Sequence, residues 1–210
     1  MDAQFRNIKK SDYNEIKNLI LDTWKIEEDF SNEKAVDLYM EAFLYDYLAW
    51  SNYRLVVTDG SKIIGFLMGR SDKKSYYRKI LKYKPKAMIA KIRMFGQQSG
   101  RDGLRILRIT DRVNRKLMKH HTKDYEGELC LFSVAKEYKG KGYGTQLLER
   151  FHDFLIKTGA TNYFLYTDTD CNIGFYERFG YELVSLDTVE FFPDEEETAK
   201  YYLYSKKLVE

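Results

Sequence analysis

Apolar positions along the chain recur with two different periods, and the alternation between them predicts the elements. Residues 5–8 read as a short strand, and Ser11 or Asp12 supplies a helix N-cap with Glu15 in the first turn. Ile16, Leu19, Ile20 and Trp24 then follow at helical spacing. A second helix fits residues 33–50, with Val36, Tyr39, Met40, Phe43, Leu44 and Tyr47 on its apolar stripe. The β-rich runs 54–58 and 62–68 flank Asp59-Gly60, which signals a hairpin because this dipeptide supplies positive φ in a tight turn. Helical spacing returns over 76–83, with a break expected near Pro85, and continues over 87–95. Residues 96–103 read as a loop, and Leu104, Leu107, Val113 and Leu117 as one face of a further helix. A strand over 126–134 leads through a glycine loop into a helix carrying Leu147, Leu148, Phe151, Phe154 and Leu155. A strand at 161–167, a short helix at 173–179 and a closing strand pair at 181–186 and 201–208 complete the chain. With no internal repeat, this order predicts a single α/β domain over 1–210, with a helical insertion at 70–123.

Charge sharpens the picture of that insertion. The whole chain carries 35 Lys+Arg against 32 Asp+Glu, a bland +3. Residues 70–123 hold 18 of the basic residues and only Asp72, Asp102 and Asp111 as acids, a local +15 that leaves −12 on the remainder. Such a segment either faces something anionic or pairs with the acidic rest of the chain; solvated amphipathic helices are the plainer alternative. No RNA- or DNA-binding motif accompanies it, so nucleic acid is not an expected partner. The apolar positions of the insertion need a cover, either the sheet or a second subunit. No apolar run approaches the roughly 18 residues that cross a bilayer, so a membrane partner is not expected. The first residues are polar, without a signal-peptide core. Two cysteines, Cys130 and Cys171, are too few for a disulfide framework or a Cys-rich zinc site, which points to the reducing cytoplasm. Both read as small buried side chains, and His120 and His121 as exposed helix-end residues without a metal partner.

The stretch with chemistry in it runs from Leu129 to Leu148. A strand enters a loop with glycines at 140, 142 and 144, and the loop opens directly into a helix. Glycine lets backbone approach a ligand closely, and a helix N-terminus offers unpaired N–H groups to an anion such as pyrophosphate. The spacing is neither a Walker A motif nor the Gly-x-Gly-x-x-Gly of a dinucleotide fold. Lys139-Gly140-Lys141-Gly142-Tyr143-Gly144 instead resembles the Gln/Arg-x-x-Gly-x-Gly/Ala acetyl-CoA loop of the GNAT family of N-acetyltransferases, with lysine in the first position. About thirty residues on, Asn172-Ile-Gly-Phe-Tyr-Glu-Arg-Phe-Gly-Tyr181 is similar to the family's Phe-Tyr-Glu-x-x-Gly-Phe segment.

The resemblance implies a twisted, mixed six- to seven-stranded sheet flanked by helices, with the basic helical insertion just before the coenzyme-binding strand. It implies transfer of an acetyl group from acetyl-CoA, the cosubstrate, to a primary amine of a small molecule or peptide by direct attack and without a metal. A non-catalytic CoA-binding regulatory module is the alternative. Acyl transfer of this kind needs a neutral amine, a stabilised oxyanion and a protonated leaving thiolate. In such a site Phe132 and Val134 would lie on the strand whose backbone pairs with pantetheine, and Lys139, Gly140, Lys141, Gly142, Tyr143, Gly144 and Thr145 would wrap the pyrophosphate. Tyr176 matches the family's general acid. Glu128, eleven residues before Lys139 and sharing the strand parity of Phe132 and Val134, is the candidate base, with Asp168 and Asp170 as rivals. Asn172 is either a coenzyme contact or a helix N-cap.

Overall fold

The first elements follow the predicted pattern but differ in how they are capped. A computed structural model describes residues 3–121, 125–169, 171, 173–190 and 198–208. Strand β1 (Gln4–Asn7) leads through a 3₁₀ turn into α1 (Tyr13–Trp24). Asp12 occupies the N-cap position of α1, as expected, but its side chain makes no capping hydrogen bond to that helix. Its carboxylate accepts from the Lys9 backbone N–H at 2.7 Å and from Arg6 at 2.7 Å, which closes the turn before the helix. Helix α2 (Glu33–Trp50) is capped by the Asn32 side chain, which accepts from the Ala35 N–H at 2.9 Å. Strands β2 (Tyr53–Asp59) and β3 (Lys62–Ser71) form the hairpin. Arg70 is therefore strand, and the helical segment begins beyond it rather than at residue 70.

That segment consists of two long helices, α3 (Tyr77–Phe95) and α4 (Gln98–Met118). The expected break at Pro85 does not occur. Pro85 sits on the exposed side of α3, while Tyr83, Ala87, Ala90 and Met94 pack inward, so solvent can serve the carbonyl that loses its donor. Nor is 96–103 a loop, because α4 already starts at Gln98. A Cβ at Gly100 would collide with the Met94 backbone, and one at Gly103 would come within 2.7 Å of Phe30, so these glycines mark close packing of α4. Tertiary contact overrides their low helix propensity.

Strand β4 (Gly127–Val134) precedes α5 (Tyr143–Lys157), β5 (Asn162–Asp168), α6 (Ile173–Arg178), β6 (Glu182–Glu190) and β7 (Thr198–Lys207). The closing strands are longer than the apolar runs that announced them, since pairing continues into polar residues. All seven strands join one mixed sheet in the order β1-β2-β3-β4-β5-β7-β6, parallel only between β4 and β5.

Apolar side chains collect in three clusters. On one face α1 and α2 cover β2 to β4 through Ile16, Ile20, Leu44, Leu48, Val56, Phe66 and Met68. On the other, α5 seats Leu147, Leu148, Phe151 and Leu155 against Leu67, Leu129 and Tyr163. The third joins Val113, Leu117 and Met118 of α4 to Phe164 of β5 and Leu203 of β7. Of the two predicted covers for the basic helices, α4 thus uses the sheet, while the inner face of α3 packs on α2. Lys123, the predicted end of the insertion, lies outside the described residues.

Candidate functional site

Two parallel strands that separate create the site. β4 and β5 pair only at Glu128–Phe164 and Leu129–Leu165, although β4 continues to Val134 and β5 to Asp168. Beyond Leu129, β4 remains paired with β3 on one side, through Leu131–Met68, Phe132–Leu67, Ser133–Phe66 and Val134–Gly65. Its other edge faces a wedge between the two strands. Extended backbone entering that wedge could pair with β4 as an added strand.

The glycine loop stands at the mouth of the wedge. After β4 the chain makes a 3₁₀ turn at Lys136–Tyr138, extends at Lys139 and passes through Gly140 and Gly142, at φ +78° and +83°. Gly142 is the N-cap of α5, and no side chain caps that helix. A Cβ at Gly140 would meet no atom within 4 Å, so glycine is required here for its conformation and not for space. Positive φ at both residues turns successive N–H groups outward at the positive end of a 15-residue helix, a cradle that suits a pyrophosphate. Tyr138 anchors the loop by donating to Asp59 at 3.0 Å, and the Lys141 ammonium lies 4.8 Å from its ring centroid.

The two sequence motifs meet behind this loop. A Cβ on Gly144 would sit 3.2 Å from the ring of Phe132 and 3.5 Å from that of Phe175, and these two rings stack at 5.8 Å. Strand β4, the first turn of α5 and helix α6 therefore converge. Next to Phe175, Tyr176 is buried against Tyr181 and Tyr204, at 5.4 Å and 6.3 Å between ring centroids. Burial holds its phenol well above the ordinary value, and the nearby Cys171, Tyr181 and Asp168 push the same way, so it is a protonated group. Burial likewise raises the thiol of Cys171 to about 11 and that of Cys130 well above its ordinary value, so both stay protonated near neutral pH. Asp168 ends β5; Asp170 and Asn172 lie outside the described residues.

Glu128 departs from its predicted placement. The register of β3 with β4 skips a residue: Gly69 faces Leu129 and Met68 faces Leu131, which leaves Cys130 in a bulge. The bulge reverses the alternation. Leu129 packs toward α5 and Leu131 toward α1 and α2, so Glu128 does not share a face with Phe132 and Val134. It lies on the α2 side, where Arg70 Nη1 is 2.5 Å from its carboxylate and Arg70 Nε donates to Asp72 at 2.8 Å. Burial pushes the Glu128 carboxyl up, Arg70 pulls it back down, and Asp72 adds to the rise. Tyr47 of α2 and Tyr166 of β5 are close enough for the charge of Glu128 to raise their phenols further.

Sequence reasoning missed Arg70, Tyr47 and Tyr166 as neighbours of Glu128. Only Arg70, just beyond the predicted hairpin run and in fact part of β3, carried any signal, and it needed the strand register to be read. Among the described residues no group of three or more His, Cys, Asp or Glu is placed to hold a metal.

The family model described as the acetyltransferase (GNAT) family matches residues 103–181. No curated protein matches the sequence. Among solved structures, the chain is similar to SsHAT at 15% identity and TM-score 0.67, covering 100% of both chains. It is similar to the ribosomal-protein-S18-alanine N-acetyltransferase of Escherichia coli at 12% identity and TM-score 0.55, covering 100% of this chain and 96% of that one. A third likeness is to PaiA N-acetyltransferase of Thermoplasma acidophilum in complex with coenzyme A, at 14% identity, TM-score 0.52 and 99% of both chains. At these identities the likeness is one of fold.

Proposed function

We propose, from the match of residues 103–181 to the GNAT acetyltransferase family, that the chain is a member of it and transfers an acetyl group from acetyl-CoA to a primary amine by direct attack. The observation that carries this reading is the separation of β4 from β5 with the Gly140–Gly142 cradle at its mouth. An extended chain ending in pyrophosphate fits both parts at once. The thioester supplies the acetyl group; the protein's residues supply the rest.

The free edge of β4 at Phe132 and Val134 holds the pantetheine arm. Lys139 to Thr145 bind the pyrophosphate through backbone N–H groups, with Lys139 and Lys141 adding charge. Glu128 accepts a proton from the attacking amine as the C–N bond forms, and its raised carboxyl pKa brings it nearer the value a general base needs. Tyr176 donates its phenolic proton to the sulfur as the C–S bond breaks. Burial keeps that proton in place at neutral pH. The face between α2 and α4 is where the acceptor enters, with α4 as its wall.

The ion pair of Glu128 with Arg70 favours a second reading, a CoA-binding module without turnover, because the carboxylate is already engaged. Thiol release from acetyl-CoA across a panel of amines separates the two. Turnover with at least one amine is expected; tight CoA binding with no turnover on any amine would move the protein to the second reading. Location in the cytoplasm remains part of the proposal, resting on the scarcity of cysteine.

A further inference from the structure

Six large apolar side chains of one helix face outward. Among the described residues ten such side chains are exposed, and Tyr77, Leu81, Met88, Ile89, Ile92 and Phe95, all on α3, are 57–65% exposed. At about 100° per residue, Tyr77, Leu81, Met88, Ile92 and Phe95 fall within an arc of about 60° and form a ridge about 27 Å long. The opposite face, with Tyr83, Ala87, Ala90 and Met94, is buried against α2, so the ridge is not a core face turned out by chance. Contiguous apolar surface of this kind marks an interaction site.

Charge on the same helix says what covers it. α3 carries Arg78, Lys79, Lys82, Lys84, Lys86, Lys91 and Arg93 and not one acid. Lys84 and Lys91 are spent on Asp46, at 2.9 Å and 2.5 Å, and Arg93 is 3.7 Å from Glu41. Among the described residues Arg78, Lys79, Lys82 and Lys86 have no carboxylate in ion-pair reach; by the helical rotation Arg78 and Lys82 flank one side of the ridge, while Lys79 and Lys86 turn to the far side, where the Lys86 ammonium lies 5.3 Å from the ring of Tyr45 of α2. A second copy of the chain would bring two such cationic helices together. A convex ridge also needs a cover that yields around it. Anionic headgroups over fluid acyl chains provide both the charge and the compliance.

We propose that α3 is a docking helix for an anionic lipid surface, lying flat with its apolar ridge below the headgroups and Arg78 and Lys82, on its flank, on lipid phosphates. No described helix is long and apolar enough to cross a membrane, and none needs to for this arrangement. The absence of a spanning run removed a membrane from the partners expected of the sequence, but it bears only on crossing. The proposal is independent of the acetyl-transfer reading, since none of its residues belongs to the wedge.

Flotation of the full chain with vesicles tests it. Co-flotation is expected with phosphatidylcholine vesicles containing phosphatidylglycerol, weaker binding to phosphatidylcholine alone, and release as salt rises from about 0.05 M to about 0.5 M. The Ile92→Glu/Phe95→Glu double variant changes only exposed side chains and should keep its circular dichroism while losing on the order of tenfold or more in partition. Arg78→Glu/Lys82→Glu should lose a similar amount on anionic vesicles and little on neutral ones. Absence of flotation with anionic vesicles at low salt would overturn the proposal, as would binding that the folded Ile92→Glu/Phe95→Glu variant retains. A dimer in analytical ultracentrifugation that this variant dissociates, without vesicle binding, would give the ridge to a second copy instead.

Discussion

Gly142 and Tyr176 carry the sharpest single-residue expectations. At Gly142 a side chain would have room, its nearest neighbour being Gln146 at 4.0 Å, so Gly142→Val should fold. The valine must nevertheless hold φ near +83°, at a cost of about 1–2 kcal/mol, or abandon the cradle. Calorimetric titration should show acetyl-CoA affinity reduced on the order of tenfold or more; unchanged affinity in the folded variant would remove the loop from the coenzyme site. Tyr176→Phe keeps the ring against Tyr181 and Tyr204 and deletes only the hydroxyl. Turnover should fall by roughly 10² while affinity for acetyl-CoA hardly changes. Wild-type turnover in this variant would leave the tyrosine a packing role alone.

Helices α3 and α4 adjoin in sequence and are basic in common, yet they bury differently. Leu117 of α4 is 5% exposed in the cluster with Phe164 and Leu203, whereas Leu81 of α3 is 60% exposed. Leu117→Ala should therefore cost about 3 kcal/mol in urea unfolding, and Leu81→Ala under about 0.5 kcal/mol. Equal effects would mean that α4 does not cover the sheet as described. The same contrast explains why excising the whole basic segment is a poor test of acceptor recognition. Removing α4 would expose the core over β5 and β7 along with any pocket wall.

Across the molecule, acid should loosen the packing of α5 on the sheet. His152 of α5 shares a hydrogen bond with the Tyr163 hydroxyl at 2.5 Å, and Tyr163 in turn bonds Tyr181. Burial, with Lys206 nearby, lowers the imidazole pKa to about 4, so the folded protein holds it neutral while the unfolded chain takes up a proton near pH 6.5. The folded state thus keeps its full stability above about pH 6.5 and loses roughly 2 kcal/mol, discounted for partial exposure, as pH falls toward 4. Denaturant midpoints across that range should show the slope, and His152→Gln should flatten it. An unchanged slope would assign the acid sensitivity to other groups, Asp12 beside Arg6 first among them at lower pH.

Local chemistry was legible from residue order because it is local. Alternating glycines at 140, 142 and 144 between a strand and a helix signal backbone free to take unusual φ, the run into Leu147 and Leu148 signals a helix whose N-terminus follows the loop, and the apolar richness of 126–134 signals a strand. Those three suffice to locate an anion cradle and to suggest the family. Tertiary structure decided everything that depends on which residues lie opposite one another. The residue skipped at Cys130 comes from the pairing of Leu129 with Gly69 and of Leu131 with Met68, at least sixty positions earlier, and it alone moves Glu128 to the α2 face and gives it Arg70. The wedge exists because β4 and β5 stop pairing after Leu129, and no residue in either strand announces a hydrogen bond that will not form. Pro85, Gly100 and Gly103 read as breaks because propensity acts within a few residues. They sit in helices because packing against α2, Met94 and Phe30 outweighs a kilocalorie-scale preference.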